Sequence, residues 1–190
     1  MITIYLFPTG ENLYTAKNRE QGHRYVTMTR AGLKTVKTLA RRLRERGVQK
    51  VFCSDLHGQS GAAVGRELRV QVMPERTFRH FNVGRLAGKP RDVVESVIED
   101  VAEKWSENPT IPISGGDSWT SYSQRISRGL QGLYRSKLTS VVLVLDPRTY
   151  NTVRCLMAQG LGQAGPQPSL LQKYNEAPTD RIIVVKFGAA

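Results

Sequence analysis

A chain of 190 residues, 39% hydrophobic and 23% charged, has the length and apolar content for one domain with its own core, which excludes a disordered polymer and a disulfide-stapled miniprotein. No apolar run approaches the roughly 20 residues of a membrane span, and the two cysteines, Cys53 and Cys155, make neither a disulfide framework nor a zinc-ligand spacing. The net charge of +12 points toward acidic partners: nucleic acid, an anionic surface or an acidic protein.

The opening MITIYLF has no basic n-region and soon meets Pro8, Thr9 and Gly10. It reads as a first strand over residues 2–7 rather than a signal peptide, and a cytoplasmic location is expected. Residues 11–28 are polar and aperiodic, the pattern of a loop. A helix is predicted from Thr29, its N-cap, to Arg46, with Gly47 as its stop. Leu33, Val36, Leu39, Ala40 and Leu43 form its apolar stripe, while Lys34, Lys37, Arg41 and Arg44 fall on another face. With Arg30, Arg42, Arg46 and Lys50 these make eight basic residues against one acid, Glu45. This basic helix over 30–50 is read either as a solvated outer face or as a surface for nucleic acid or an acidic protein.

Residues 48–53 form a second strand, and Ser54 or Asp55 caps a helix carrying Ala62, Ala63 and Leu68 inward. Residues 70–73 make a third strand ended by Pro74, and residues 77–90 are a Gly-, Arg- and aromatic-rich loop. Val93, Val94, Val97, Ile98, Val101 and Trp105 then mark an amphipathic helix with Glu95, Glu99 and Glu103 on its outer face. Asp117 or Ser118 caps the next helix, whose stripe is Tyr122, Ile126, Leu130 and Leu133. Residues 141–145 are a continuous apolar run of the kind buried on both faces of a parallel sheet. A helix over 149–159, a Gly-, Pro- and Gln-rich stretch at 160–178 and a strand over 181–187 complete the order. The alternation predicts an α/β fold in a single domain: a three-layer αβα sandwich with a mostly parallel central sheet. In such a sheet, function collects in the loops at the carboxyl ends of the strands, which begin here at Phe7, Cys53, Met73 and Leu145.

Five pieces occur in an informative order: Met28, Thr29 and Gly32 at a helix start; Cys53, Ser54, Asp55 and Leu56 after the second strand; Gly84 in the third loop; Gly115, Gly116, Asp117 and Ser118 at a helix start, with Arg125 behind it; and VVLVLDP at a late strand and its turn. Together they span nearly the whole chain, which resembles the histidine phosphatase superfamily, the phosphoglycerate-mutase-like proteins. The resemblance implies that fold. It also implies a pocket in which one histidine is phosphorylated, two arginines and a second histidine hold the phosphoryl group, and an acid protonates the leaving oxygen.

Carried onto this sequence, the nucleophilic histidine of the resemblance falls at Thr9, the arginine before it at Pro8 and the second arginine at Gly58. The general acid falls at His80 and the second histidine at Asp146, followed by Pro147 and Arg148. Gly10, Glu11 and Asn12 keep the family character. Phosphoryl transfer needs positioned positive charge over the developing anion. The expectation is therefore a pseudo-enzyme, a catalytically inactive pseudophosphatase serving as a binding or scaffold component. No metal or cofactor is expected. The partner would be an acidic protein or nucleic acid on the basic helix, or a second copy of the chain. A competing reading takes hydroxyl, imidazole and carboxylate at Thr9, His80 and Asp146 as a rebuilt nucleophile, base and orienting acid. The bland alternatives are a surface loop histidine at His80 and a helix cap at Asp146.

Overall fold

A computed structural model describes residues 1–159 and 181–187, so the Gly-, Pro- and Gln-rich stretch at 160–178 lies outside the described residues. Its strands are β1 (Ile2–Pro8), β2 (Lys50–Cys53), β3 (Gln71–Pro74), β4 (Ser140–Leu145) and β5 (Ile183–Phe187). Its helices are α1 (Arg30–Arg41), α2 (Gly58–Leu68), α3 (Arg91–Trp105), α4 (Trp119–Arg135) and α5 (Pro147–Gln159). The sheet runs β3-β2-β4-β1-β5. Its first four strands are parallel and β5 pairs antiparallel with β1, so the predicted α/β sandwich with a mostly parallel sheet is the fold.

Side-chain alternation along the strands divides the core in two. Ile2, Ile4, Leu6, Val141, Leu143 and Leu145 pack with α3, α4 and α5. Tyr5, Phe7, Val142 and Val144 pack on the other face with α1 and α2. Because β4 is covered on both faces, Val141 through Leu145 are all buried, as the apolar run predicts. Pro74 is the last residue of β3, so it ends that strand as expected, and it is tolerated there because β3 is an edge strand and needs no donor on its open side.

Three expectations need correction. The predicted helix over 29–46 starts as expected, with Thr29 Oγ1 accepting from the Gly32 amide at 2.9 Å, but it ends at Arg41. The amides of Leu43, Arg44 and Arg46 then bond three residues back, to Ala40, Arg41 and Leu43, a tighter winding that keeps Leu43 buried while Arg42, Arg44 and Arg46 stay exposed. Since Lys50 belongs to β2, the eight basic residues do not share one helix. Arg41 and Arg44 moreover converge on Glu67 of α2, at 3.4 and 2.8 Å. Glu95 does not stay on the outer face of α3; it turns inward to a guanidinium described below.

Two glycines of the sequence pattern hold the loops together. A Cβ on Gly84, where φ is +56°, would lie 2.2 Å from the Ser114 carbonyl oxygen, and one on Gly116 would lie 2.0 Å from that of Asn82. Only bare backbone fits on both sides, so residues 82–84 lie directly against residues 114–116.

Candidate functional site

The loop between β3 and α3 is braced from α4. Arg125 Nη1 donates to the carbonyls of Thr77 at 3.1 Å and Arg79 at 2.7 Å, and its Nη2 pairs with Asp117 at 2.7 Å. His23 Nε2 meets the His80 carbonyl at 2.7 Å. Pinned in this way, His80 points into the protein and is 2% exposed; it is not a surface histidine.

Each nitrogen of that ring faces a carboxylate. Nδ1 lies 3.2 Å from Asp146 Oδ1. Nε2 lies 2.9 Å from Glu20 Oε1, though off the line of a hydrogen bond. Asp146 follows β4, and its Oδ1 also accepts from the Thr149 amide at 3.1 Å. It is therefore a cap of α5, ahead of Pro147, as well as the partner of His80. Its Oδ2 is buried and has no hydrogen-bond partner among the described residues.

The charges continue behind His80. Glu20 Oε2 accepts from Arg148 Nη1 at 2.6 Å, and Arg148 Nη2 reaches Glu95 Oε1 at 2.5 Å. Burial pushes the Glu20 carboxyl up, but the Arg148 guanidinium and His80 outweigh it and hold that carboxyl below its usual range. Burial acts the same way on Asp146, and His80, His57 and the Thr149 bonds again bring it below normal. For Glu95 burial wins, helped by the Glu20 charge, and its carboxyl is raised despite Arg148. A second ring, His57, sits edge-on to His80 with centroids 6.3 Å apart, and its Nδ1 is 3.0 Å from Ser54 Oγ. Burial, against the pull of Asp146, lowers its pKa to about 4, so at neutral pH it is an uncharged imidazole.

The structure thus joins His80 to Asp146, as the rebuilt-site reading expects, but it does not join Thr9 to His80. Glu20 takes the ring nitrogen a threonine nucleophile would need. Thr9 is half-buried beside them, its amide bonded to the Leu145 carbonyl at 2.9 Å, and Pro8 is buried at the end of β1. Gly10 packs on α1, and its amide donates to Ser60 Oγ at 3.1 Å. Glu11 is exposed and accepts from Thr29 Oγ1 at 2.7 Å. Asn12 is buried: its Oδ1 accepts from the amides of Tyr14 and Thr15, and its Nδ2 donates to Gln21. Gly58 opens α2 with no described atom within 4 Å of where a Cβ would be. Gly58→Ala is therefore expected to raise stability by about 0.5–1 kcal/mol in urea unfolding, since helical backbone gains from a Cβ that meets nothing. A loss of stability would mean that the space is occupied.

Sequence reasoning missed Glu20, His57 and Arg148 as members of the site. One available signal was Arg148, a charge followed by Thr149, Tyr150 and Val153 on a helix packed into the core; a buried guanidinium requires a carboxylate.

Residues 4–176 match the description "Histidine phosphatase superfamily (branch 1)". The chain is 26% identical over 167 residues to "Probable phosphoglycerate mutase GpmB" of Yersinia pestis, covering 85% of this chain and 76% of that protein. Among solved structures it resembles a mycobacterial glucosyl-3-phosphoglycerate phosphatase, with a TM-score of 0.71 at 18% identity over 85% of this chain and 84% of that one. It also resembles an alpha-ribazole phosphatase of Shigella flexneri, with a TM-score of 0.68 at 16% identity over 84% and 82%. At these identities the two structures speak for the fold. The expectation that the chain is not an enzyme is overturned by the family match and by the Yersinia relative, which covers most of this chain and is named as a probable mutase.

Proposed function

Because the chain belongs to the histidine phosphatase superfamily, branch 1, we propose that it is an ester-cleaving enzyme whose strand-end pocket works through the His80–Asp146 pair rather than through a phosphorylated histidine at position 9. The observation that carries this reading is the 3.2 Å contact between His80 Nδ1 and Asp146 Oδ1. A buried carboxylate that orients an imidazole is the core of acid–base catalysis. One further atom supports it. Asp146 Oδ2 is buried without a hydrogen-bond partner among the described residues, a state that costs about 1–3 kcal/mol and that a bound polar ligand would relieve. The position agrees as well, since α/β sheets bind ligands at the carboxyl ends of their strands.

The charge of the pocket bears on the substrate. Asp146 stands where the resemblance puts a phosphate-holding histidine, and a carboxylate ~4 Å from a dianion opposes it by kcal/mol even with strong screening. An ester of lower charge, a carboxylic ester or a phosphodiester, suits this pocket better than a phosphomonoester dianion. The test is a turnover screen of the purified protein on all three ester classes, repeated with His80→Gln and Asp146→Asn. Each substitution should lower kcat by about 10²–10⁴-fold, the usual worth of a positioned acid or base. Turnover that survives both substitutions, or none by the wild type, would refute the proposal.

A further inference from the structure

We infer that the cleft between residues 13–24 and residues 87–89 is a second ligand site, built for a nucleotide-sized anion that pairs phosphate charge with a flat apolar group. The inference stands independently of how the His80 pocket works. The cleft has a volume of about 540 Å³ and is lined by Leu13, Tyr14, Lys17, Arg19, Arg24, Ala87, Gly88 and Lys89. That volume lies in the range of small-molecule sites.

Its walls come from distant parts of the chain and are fastened by backbone. The Glu20 amide bonds to the Lys89 carbonyl at 3.0 Å, the Gly88 amide to the Glu20 carbonyl at 2.8 Å and the Arg91 amide to the Asn18 carbonyl at 2.9 Å. Arg19 Nη1 adds a bond to the Gly88 carbonyl at 2.7 Å. Gly88, at φ +87°, closes one wall, and a Cβ there would meet Arg24 Nη1 at 3.1 Å. The shape is therefore preformed rather than a gap between mobile loops.

Among the described residues, four cations and no carboxylate line this space. The nearest acid in sequence, Glu20, turns inward to Arg148 and His80. Arg24 Nη1 lies 3.3 Å from the Tyr14 hydroxyl, which sets the phenol among the charges. The side chains of Lys17 and Lys89 make no hydrogen bond or ion pair among the described residues. Four like charges around one cavity repel one another, and a polyanion relieves that repulsion while forming charge-assisted hydrogen bonds. Tyr14 and the half-exposed Leu13 offer an apolar surface beside the charge. The depression among Arg41, Arg42, Arg44 and Arg46 is a weaker candidate, because Glu45 lines it and Glu67 answers two of its arginines.

Calorimetric titration of the full chain with adenosine triphosphate, and separately with inorganic tripolyphosphate, tests the site. Saturable binding to one site is expected, with the nucleotide tighter than tripolyphosphate. Lys17→Ala/Lys89→Ala should weaken both ligands by about tenfold or more, since each lost charge-assisted contact is worth roughly that factor. Tyr14→Leu should bring the nucleotide close to tripolyphosphate, and Arg42→Ala/Arg46→Ala should change neither. The inference fails if binding does not saturate, if both paired variants weaken it equally, or if tripolyphosphate matches the nucleotide in the wild type. It fails also if a single-stranded oligonucleotide binds more tightly than the nucleotide, which would make the cleft part of a nucleic-acid surface.

Discussion

Arg148→Met is expected to destabilise the protein by about 3–5 kcal/mol at neutral pH, the cost of removing one partner from a buried ion pair. Arg148 is 0% exposed and Glu20 is 1% exposed. The guanidinium joins Glu20 at 2.6 Å and Glu95 at 2.5 Å, so methionine would fill most of its volume but leave two carboxylates facing an apolar wall. The pH dependence identifies the cause. In the wild type the Glu20 carboxyl sits below its usual range, so its stabilisation is complete above the unfolded-state pKa and is lost as pH falls through the folded one. In the variant, burial acts unopposed by Arg148 and the carboxyl rises instead. The deficit should then shrink as pH falls, because protonation relieves the stranded charge. Urea unfolding at pH 7.5 and pH 5 measures this difference. Glu20→Gln added to Arg148→Met should recover part of the loss, since residues of one network are not additive. A deficit within about 0.5 kcal/mol, the size of a surface change, would mean that Arg148 is not buried among these acids.

The layers of the fold were legible because they rest on periodicity. Val141 through Leu145 read as a doubly buried strand, and the β4 pairs on both sides make it one. Ser118 was a candidate cap, and its hydroxyl accepts from the Ser121 amide of α4 at 3.1 Å. The charges of the site were less legible, because no local pattern marks them. Glu20 lies in a polar, aperiodic stretch and becomes buried only through Arg148, 128 residues away in sequence. Glu95 occupies a helix position that spacing assigns to the outside, yet it borders the apolar stripe closely enough for Arg148 to draw it in. His80 and Asp146 were found through the family pattern and not from their own neighbours. That pattern marked position 80 and position 146 as pocket residues whatever side chains they carry. It carried no information about Glu20 on the second ring nitrogen, which separates an arrangement of two groups from one of three.

The buried acids and cations also reinterpret the departures from the family pattern. In isolation, Asp146 adds a negative charge where phosphate is held. In the structure it has His80 beside it, and Glu20 has Arg148. Each anion at the strand ends is thus matched by a basic group, and the pocket trades a strong anion site for a set of internally paired charges. Such a set orders its members firmly but has little attraction left for a free dianion, which is the physical reason to look for an ester of lower charge in the His80 pocket. Among the described residues, cations with no facing carboxylate lie elsewhere, and they include those of the cleft lined by Lys17, Arg19, Arg24 and Lys89. The Arg19–Glu20 dipeptide links the two regions, with its first residue lining the cleft and its second contacting His80.

His57 should make the wild type lose stability on acidification that His57→Leu does not lose. Burial lowers the folded-state pKa of this ring to about 4 from an ordinary 6.5. As pH falls below 6.5, the unfolded chain takes up a proton that the folded protein refuses until about pH 4, so stability is full above that window and declines through it. At 1.36 kcal/mol per pKa unit, the whole decline amounts to roughly 3 kcal/mol. Leucine has no such proton. It loses the Ser54 contact at every pH, which displaces the stability curve without tilting it, so the slope is the readout. His23 is also lowered by burial, but it titrates in both proteins and cancels in the comparison. Glu20 and Asp146 are held below their ordinary values, so the part of the decline between pH 6.5 and pH 5 is free of them. Urea unfolding at intervals from pH 7.5 to pH 4.5 for both proteins gives the two slopes. A steeper wild-type curve places an uncharged, water-shielded imidazole beside His80. Parallel curves would mean that water reaches His57, and with it the edge of the pocket where His80 is held.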